Sequence, residues 1–593
     1  MPRKGIAPWA DGAGELGYDG MAWGGVNTKE LKADKVIADS VSAKKITGEV
    51  AGSVVAEVSR ADDAIVVTKA DGTSITLPLM GETSLGWCRK RRIERNGDMV
   101  SLYWEEPANG YAQWSKTIIV KKEGSYPETP TDGTLVTVNA IRNQYKKTPY
   151  VDEQADNEKW YYRAFPVSAG GNTSYNQLNK FGFWHYAIWI DREDAVEATC
   201  VHNMEGYDNQ DYRPIKMIFA ADVADNALDW GDWENAQFMP RPCMLKSDGT
   251  VDYYLNPNNY NQKIDGTTTK DISDPNYDGN AMIEWGQVYT KVETTPTRHY
   301  IYFCSDKLDD SYECYSAKKN DGTYGKHWYM PIYEGRVVNN VMRSLSTGTD
   351  GASTGAAKPT ASTTMEQEMT YAKANGTGWN ITCWADENLV AMLGIMIMGR
   401  LNSAIAVGYN CGSSSQALTH NIGTGNTKGL FFGHYTTSAY ATKFFGMENW
   451  WGHRWRRCVG LIVKNYKVYA KMTKSTADGS TIANYNSDGT GYIDTGITVP
   501  AGMSGYFVDV AASKYGFAIP TTLTKYKGDT GTAVGSSTTY YCDGAYSGAG
   551  TMALFSGGAV HNGVAAGLFA FHVADAPSYA GWAVGASLSY KAF

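Results

Sequence analysis

FFGMENWWGHRWRR, residues 444–457, is the stretch from which the rest of the chain is read. Five aromatic rings and two glycines fall within it, between segments that look like short strands and turns. Trp450, Trp451 and Trp455 read as core residues, as does Trp582 further on. The glycines read as positions of positive φ or of close strand approach. The stretch therefore points to a mainly β, loop-rich domain built around buried tryptophans.

Upstream, WNITCW leads into DENLVAMLGIMIMGRL, which begins near Asp386. That segment is almost wholly apolar behind an acidic first turn, so it predicts a buried helix. Another helix is predicted over MEQEMTYAKANG, capped by the hydroxyls of Thr363 and Thr364 and ended by Gly376. Between residues 346 and 364, STGTDGASTGAAKPTASTT is flanked by aromatic-rich sequence and reads as a surface loop inside a large domain. Downstream, the chain closes with LFSGGAVHNGVAAGLFAFHVADAPSYAGWAVGASLSYKAF.

This order resembles the C-type-lectin-like fold shared by formylglycine-generating enzymes and the variable proteins of diversity-generating retroelements. Gly446, Asn449, Trp450, Trp451 and Trp455 match the first motif of that group. Gly557, Gly558, Gly567, Phe569, Trp582, Gly585 and Ala586 match the second, while Ser587 stands where the group has a terminal arginine. The resemblance is specific over about 120 of the last 400 residues. It implies a scaffold of Gly557, Gly558, Leu568, Phe569, Gly585 and Leu588. Between these, Asp543, Tyr546, His561, Asn562, His572, Ser578 and Tyr579 would project as a receptor-binding face. Tyr suits stacking on sugars or filling protein pockets, and the short polar side chains reach hydroxyl groups at low entropic cost. Some of them would instead satisfy local turns.

Towards the N-terminus the character changes twice. Residues 85–178 carry MVSLYWEEP, WSKTIIVKKEG, GTLVTV and KWYYRAFPVS, separated by turn residues. That is the pattern of a β-sandwich. Trp104, Pro107, Tyr162 and Phe165 resemble the placements of a fibronectin type III domain, and another Ig-like sandwich would serve equally as a spacer. The basic run RKRRIER, Arg89 to Arg95, reads as a solvated linker or a subunit contact. Residues 1–84 are poor in apolar side chains. Over Asn27–Val55 small residues and charges surround sparse aliphatics such as Val36, Ile37, Val41, Ile46, Val50, Val54 and Val55. AIVVTKADGTSITLPL then alternates around Asp71-Gly72, a hairpin signature. Such a segment is either disordered or gains burial by winding with copies of itself, and with the hairpin it resembles the N-terminal attachment stalk of phage tail fibres, many of them trimeric. The fold class expected is thus mainly β with some α: stalk 1–84, sandwich 85–178, and a large α+β lectin-like domain 179–593.

Composition narrows the functions. With 593 residues the chain exceeds one simple core. Its net charge of −8 argues against nucleic-acid binding. No apolar run reaches the length of a membrane span, the longest being Leu389–Met398, and no secretion signal opens the chain. The nine cysteines are dispersed, without zinc spacing, and read as free thiols. Only Cys542 lies in the last 130 residues, whereas the formylglycine-generating enzymes use a cysteine pair near that end. There is no HExxH motif. The loop GTGNTKG, Gly423 to Gly429, lacks the P-loop ending. Asp306, Asp309 and Asp310 read as a solvated loop rather than a cation site or an acid pair.

The expectation is a non-enzymatic phage tail fibre or tail-tip adhesin on the virion tail, assembled in the host cytoplasm and acting at the host surface. It would need no cofactor, no metal and no membrane insertion. Its partners would be a bacterial surface receptor, other tail or baseplate proteins through the N-terminus, and further copies in a homotrimer. A tail-associated glycan depolymerase and a purely structural baseplate component are the alternatives.

Overall fold

The computed structural model describes four strands between Gly48 and Pro78 by their backbone. From residue 85 to 591 it describes all but 109–111, 221–225, 320, 348–357, 410–420, 435–441, 473–491 and 527–531, and the side chains of 525, 526, 532 and 533. The protein is mainly β, 41% strand against 9% helix. Two compact units divide the chain, 1–83 and 84–593.

In the first unit, Gly48–Val50, Ser53–Ala61, Ala64–Lys69 and Ser74–Pro78 form an antiparallel meander. The expected hairpin pairs Ala64 with Pro78 and Thr68 with Ser74. Its Asp71-Gly72 turn, and the stalk segment from Asn27 to Thr47, lie outside the described residues.

The second unit opens with two three-stranded sheets. One holds Arg89–Asn96, Met99–Glu105 and Tyr150–Glu153; the other holds Trp160–Ser168, Trp114–Glu123 and Thr134–Asn139. Alternation in MVSLYWE puts Val100, Leu102 and Trp104 on the inner face, where they pack with Ile119, Tyr162 and Ala164. Phe181, beyond the boundary drawn at 178, belongs to this core and meets Trp104 edge-on at 5.9 Å. Glu106 is buried in it as well. Its carboxylate accepts hydrogen bonds from the Trp104 indole at 2.8 Å, from Asn139 at 2.7 Å and from the Thr117 hydroxyl. Trp104→Phe removes one of these donors and some volume, so it should cost about 1–2 kcal/mol. Chemical denaturation checks this.

The basic run is not a solvated linker. It forms the strand Arg89–Asn96, and Arg91 is buried against Asp208 at 2.9 Å, with Lys90 reaching Asp232 at 2.5 Å. A guanidinium withdrawn from water needs such a partner, and the two pairs tie the sandwich to the chain beyond it.

That chain builds three further large sheets. A four-stranded one runs Val201–Asn203, His185–Asp191, Arg298–Cys304, Tyr289–Thr294. A seven-stranded one runs Asn259–Lys263, Val251–Asn256, Arg241–Lys246, Gly279–Trp285, Trp328–Pro331, Leu588–Lys591, Trp379–Ile381. In the third, Ile493–Thr498, Lys467–Ala470, Trp455–Lys464, Thr551–Ser556, Phe571–Val573, Gly544–Ser547 and Ser504–Tyr506 follow one another, and Val584–Gly585 pairs parallel to Trp455 and Arg456.

Helix α1, Met365–Lys373, begins at Thr364 in a capping box with Gln367. Helix α2, Trp384–Met398, is buried at every position and ends at Gly399 in the left-handed region. Its acidic first turn is matched by cations from distant strands. Asp386 meets Lys591 at 2.7 Å, and Glu387 takes a two-pronged contact from Arg456 at 2.7 and 2.8 Å. At Gly394 a Cβ would come within 2.5 Å of Leu568 and 2.9 Å of Phe444, so the helix needs glycine there to approach the core. No described helix is long and apolar enough to cross a membrane.

A candidate receptor-binding face

Four side chains from neighbouring strands stand in one row on the eight-stranded sheet. Arg457 pairs with Phe555, Phe555 with His572, and His572 with Tyr546, so all four point to the same side. Trp455, two residues before Arg457, shares that side. His572 stacks on Phe555 with ring centroids 5.3 Å apart, and lies 5.5 Å from Tyr546 and 5.2 Å from Trp455. Phe555 and Trp455 are buried, while His572 and Tyr546 are half-buried at the edge of the cluster. The loop after Val573 brings Tyr579, which is 42% exposed, to 6.4 Å from Phe555. Three residues on, Trp582 faces His561 at 5.4 Å.

The loop's backbone is fastened from beneath. Arg457 donates to the carbonyl of Pro577 at 3.1 Å, of Tyr579 at 2.6 Å and of Thr363 at 2.7 Å, while Glu368 holds its Nε at 2.8 Å. Arg454 donates to the carbonyl of Trp582 and, at 3.0 Å, to that of Pro359. Backbone amides bond the carbonyls of Asp575, Ala576, Gly581 and Ala583. The loop is therefore held by its carbonyls, and the side chains of Ser578, Tyr579 and Ala580 stay exposed.

Of the seven residues expected on the face, Tyr546, His572 and Tyr579 converge directly. Ser578 is exposed beside Tyr579, and His561 is exposed against Trp582. Asn562 is half-buried, and its side-chain oxygen accepts the Ala559 N–H at 2.8 Å. It holds the 3₁₀ turn Val560–Ala565 and has only its amide N–H left to offer outward.

Asp543 is not on the face. It is 1% exposed, and its carboxylate accepts the Phe569 N–H at 2.7 Å. Gly567 lies so close that a Cβ there would sit 2.2 Å from Oδ1. Burial pushes its carboxyl well above the usual range, so Asp543 helps to seat the following strand. The glycines and apolar residues expected as scaffold (Gly557, Gly558, Leu568, Phe569, Gly585 and Leu588) are all buried.

The other chemistries considered find no assembled site among the described residues. Asp309 accepts from Ser311 N–H at 2.7 Å in a turn, and Asp310 projects fully into solvent. Among the described residues no group of three or more His, Cys, Asp or Glu is arranged to hold a metal. In the GTGNTKG loop the amides of Gly423 and Gly425 already bond Glu448 at 2.8 and 2.9 Å, so they do not form a phosphate cradle. Cys200 lies within electrostatic reach of Cys542, but both thiols are buried and donate to backbone carbonyls. Burial pushes Cys200 up to about 12 and Cys542 higher still, which leaves no thiolate at neutral pH.

No family model matches the sequence, and no curated protein does either. The face must be read from its own chemistry.

Sequence reading missed Arg454, Arg457 and Glu368, which position the loop. Three arginines in RWRR, without an acid beside them in an aromatic run, were the available signal: buried guanidinium groups need distant carbonyl or carboxylate partners.

Proposed function

We propose that the protein is a phage tail fibre or tail-tip adhesin that binds a bacterial surface receptor through this face of the eight-stranded sheet. The observation carrying the reading is the convergence of Tyr546, His572 and Tyr579 on one face whose loop is held through its backbone. Such a loop presents side chains without depending on them for its shape, so recognition needs little ordering on binding. The N-terminal meander would serve attachment and trimer assembly, and the sandwich would act as a spacer.

The test is adsorption of the purified full chain to a panel of bacterial cells. Replacing Tyr546, His561 and Tyr579 together by Ala should reduce adsorption to responsive cells at least about tenfold, the size of losing about 1.4 kcal/mol. The melting temperature should shift little, because these side chains are exposed or half-buried. Undiminished adsorption by the folded variant would move the receptor site elsewhere. Shortening of host glycan by the wild-type chain would favour the depolymerase instead.

A further inference from the structure

Among the described residues, the two arginines that hold the loop are already engaged. Arg457 is enclosed by Glu368 and three carbonyls, and Arg454 bonds two carbonyls beneath the loop. His572 accepts the Ala574 N–H at Nδ1, 3.4 Å away, so its neutral ring carries the proton on Nε2. That Nε2 lies 3.6 Å from the Asp575 carboxylate. Burial lowers the proton affinity of His572, with Asp575 opposing, and burial likewise lowers that of His561. Both imidazoles are neutral at pH 7. What faces outward is phenol, imidazole, indole and hydroxyl. Of the large hydrophobic side chains, the row and its flanking loop and turn expose Tyr579 and the isolated Val564.

We propose that the ligand of this face is an uncharged glycan, held by ring stacking and hydroxyl hydrogen bonds rather than by ion pairs. This rests on the adhesin reading above. An acidic saccharide would need an available cation, and both arginines here are turned inward onto carbonyls. A protein partner would call for a broader apolar centre to fill or cover. Phenol and indole rings offer π-faces to the C–H surface of a sugar, while neutral imidazole and serine both donate and accept, as hydroxyls require.

The experiment presents neutral hexose and N-acetylhexosamine oligosaccharides on beads, beside uronic, sialylated and phosphorylated counterparts. The full chain is assayed on both sets at about 0.05 and 0.5 M NaCl, in parallel with whole cells, with and without periodate or protease treatment. The expected result is binding to neutral beads that changes less than about twofold with salt, since no long-range charge attraction is there to be screened. Tyr579→Ala should weaken that binding at least about tenfold. Binding confined to acidic beads and lost at high salt would overturn the inference while leaving an adhesin. So would adsorption to cells that resists periodate and is lost to protease, because the receptor is then a protein. Adsorption to neither cells nor beads would overturn the adhesin reading itself.

Discussion

Arg457→Ala is expected to destabilise the protein by about 3–5 kcal/mol and to abolish adsorption to cells that bind the wild-type chain. Arg457 and Glu368 are 0% and 2% exposed in their side chains. Removing the guanidinium strands a buried carboxylate and leaves the carbonyls of Pro577, Thr363 and Tyr579 without that donor. The effect should depend on pH. Burial already pushes Glu368 up to about 7, with Arg457 pulling down. Without Arg457 it rises further. The native state then keeps a proton that the unfolded chain releases above about pH 4.3. The wild-type native state holds the same proton up to about pH 7, so the deficit of the variant should stay level from about pH 5 to 7 and grow from there towards pH 8. Arg457→Lys keeps the charge but not the three-way reach, so it should recover stability more than binding. Denaturant titrations at both pH values, with adsorption measured alongside, check this. Adsorption restored in step with stability by the Lys variant would deny Arg457 its positioning role.

Lys591→Met should cost a similar 3–5 kcal/mol through another buried pair. Its ammonium bonds Asp386 at 2.7 Å and lies 3.2 Å from the Cys383 sulfur, at the start of α2. Without it Asp386, which is fully buried, has no cation opposite. Adding Asp386→Leu to Lys591→Met should restore most of the loss, because two apolar groups can replace a buried ion pair at little net cost. A double variant as unstable as the single one would show that shape, rather than charge, limits this junction.

Much of the fold was legible because it depends on local signals. The cap at Thr364, the apolar run of α2 and the alternation in MVSLYWE each name their element without help from elsewhere. The hairpin strands flanking Asp71-Gly72 were equally legible. What was not legible depends on partners far apart in sequence. Arg91 looked like part of a solvated run because its acid, Asp208, comes 117 residues later. Asp543 looked like an exposed polar residue because nothing nearby announces that Gly567 and Phe569 will close over it. On the face, the residue types at 546, 572 and 579 were readable, but not the row they form. That row depends on a parallel pairing of Gly544–Ser547 with Phe571–Val573, which no turn signal specifies.

The strand Leu588–Lys591 lies between Trp328–Pro331 and Trp379–Ile381 and pairs with both. Between residues 381 and 588 the chain leaves that sheet and builds all eight strands of another. The second sheet is thus nested in sequence within the first, and a single genetic crossover between residues 455 and 585 would divide both. A lone crossover there cannot pass this face on intact. Change at its surface can instead come one side chain at a time, at positions such as 578–580, where the backbone is held regardless of what it carries.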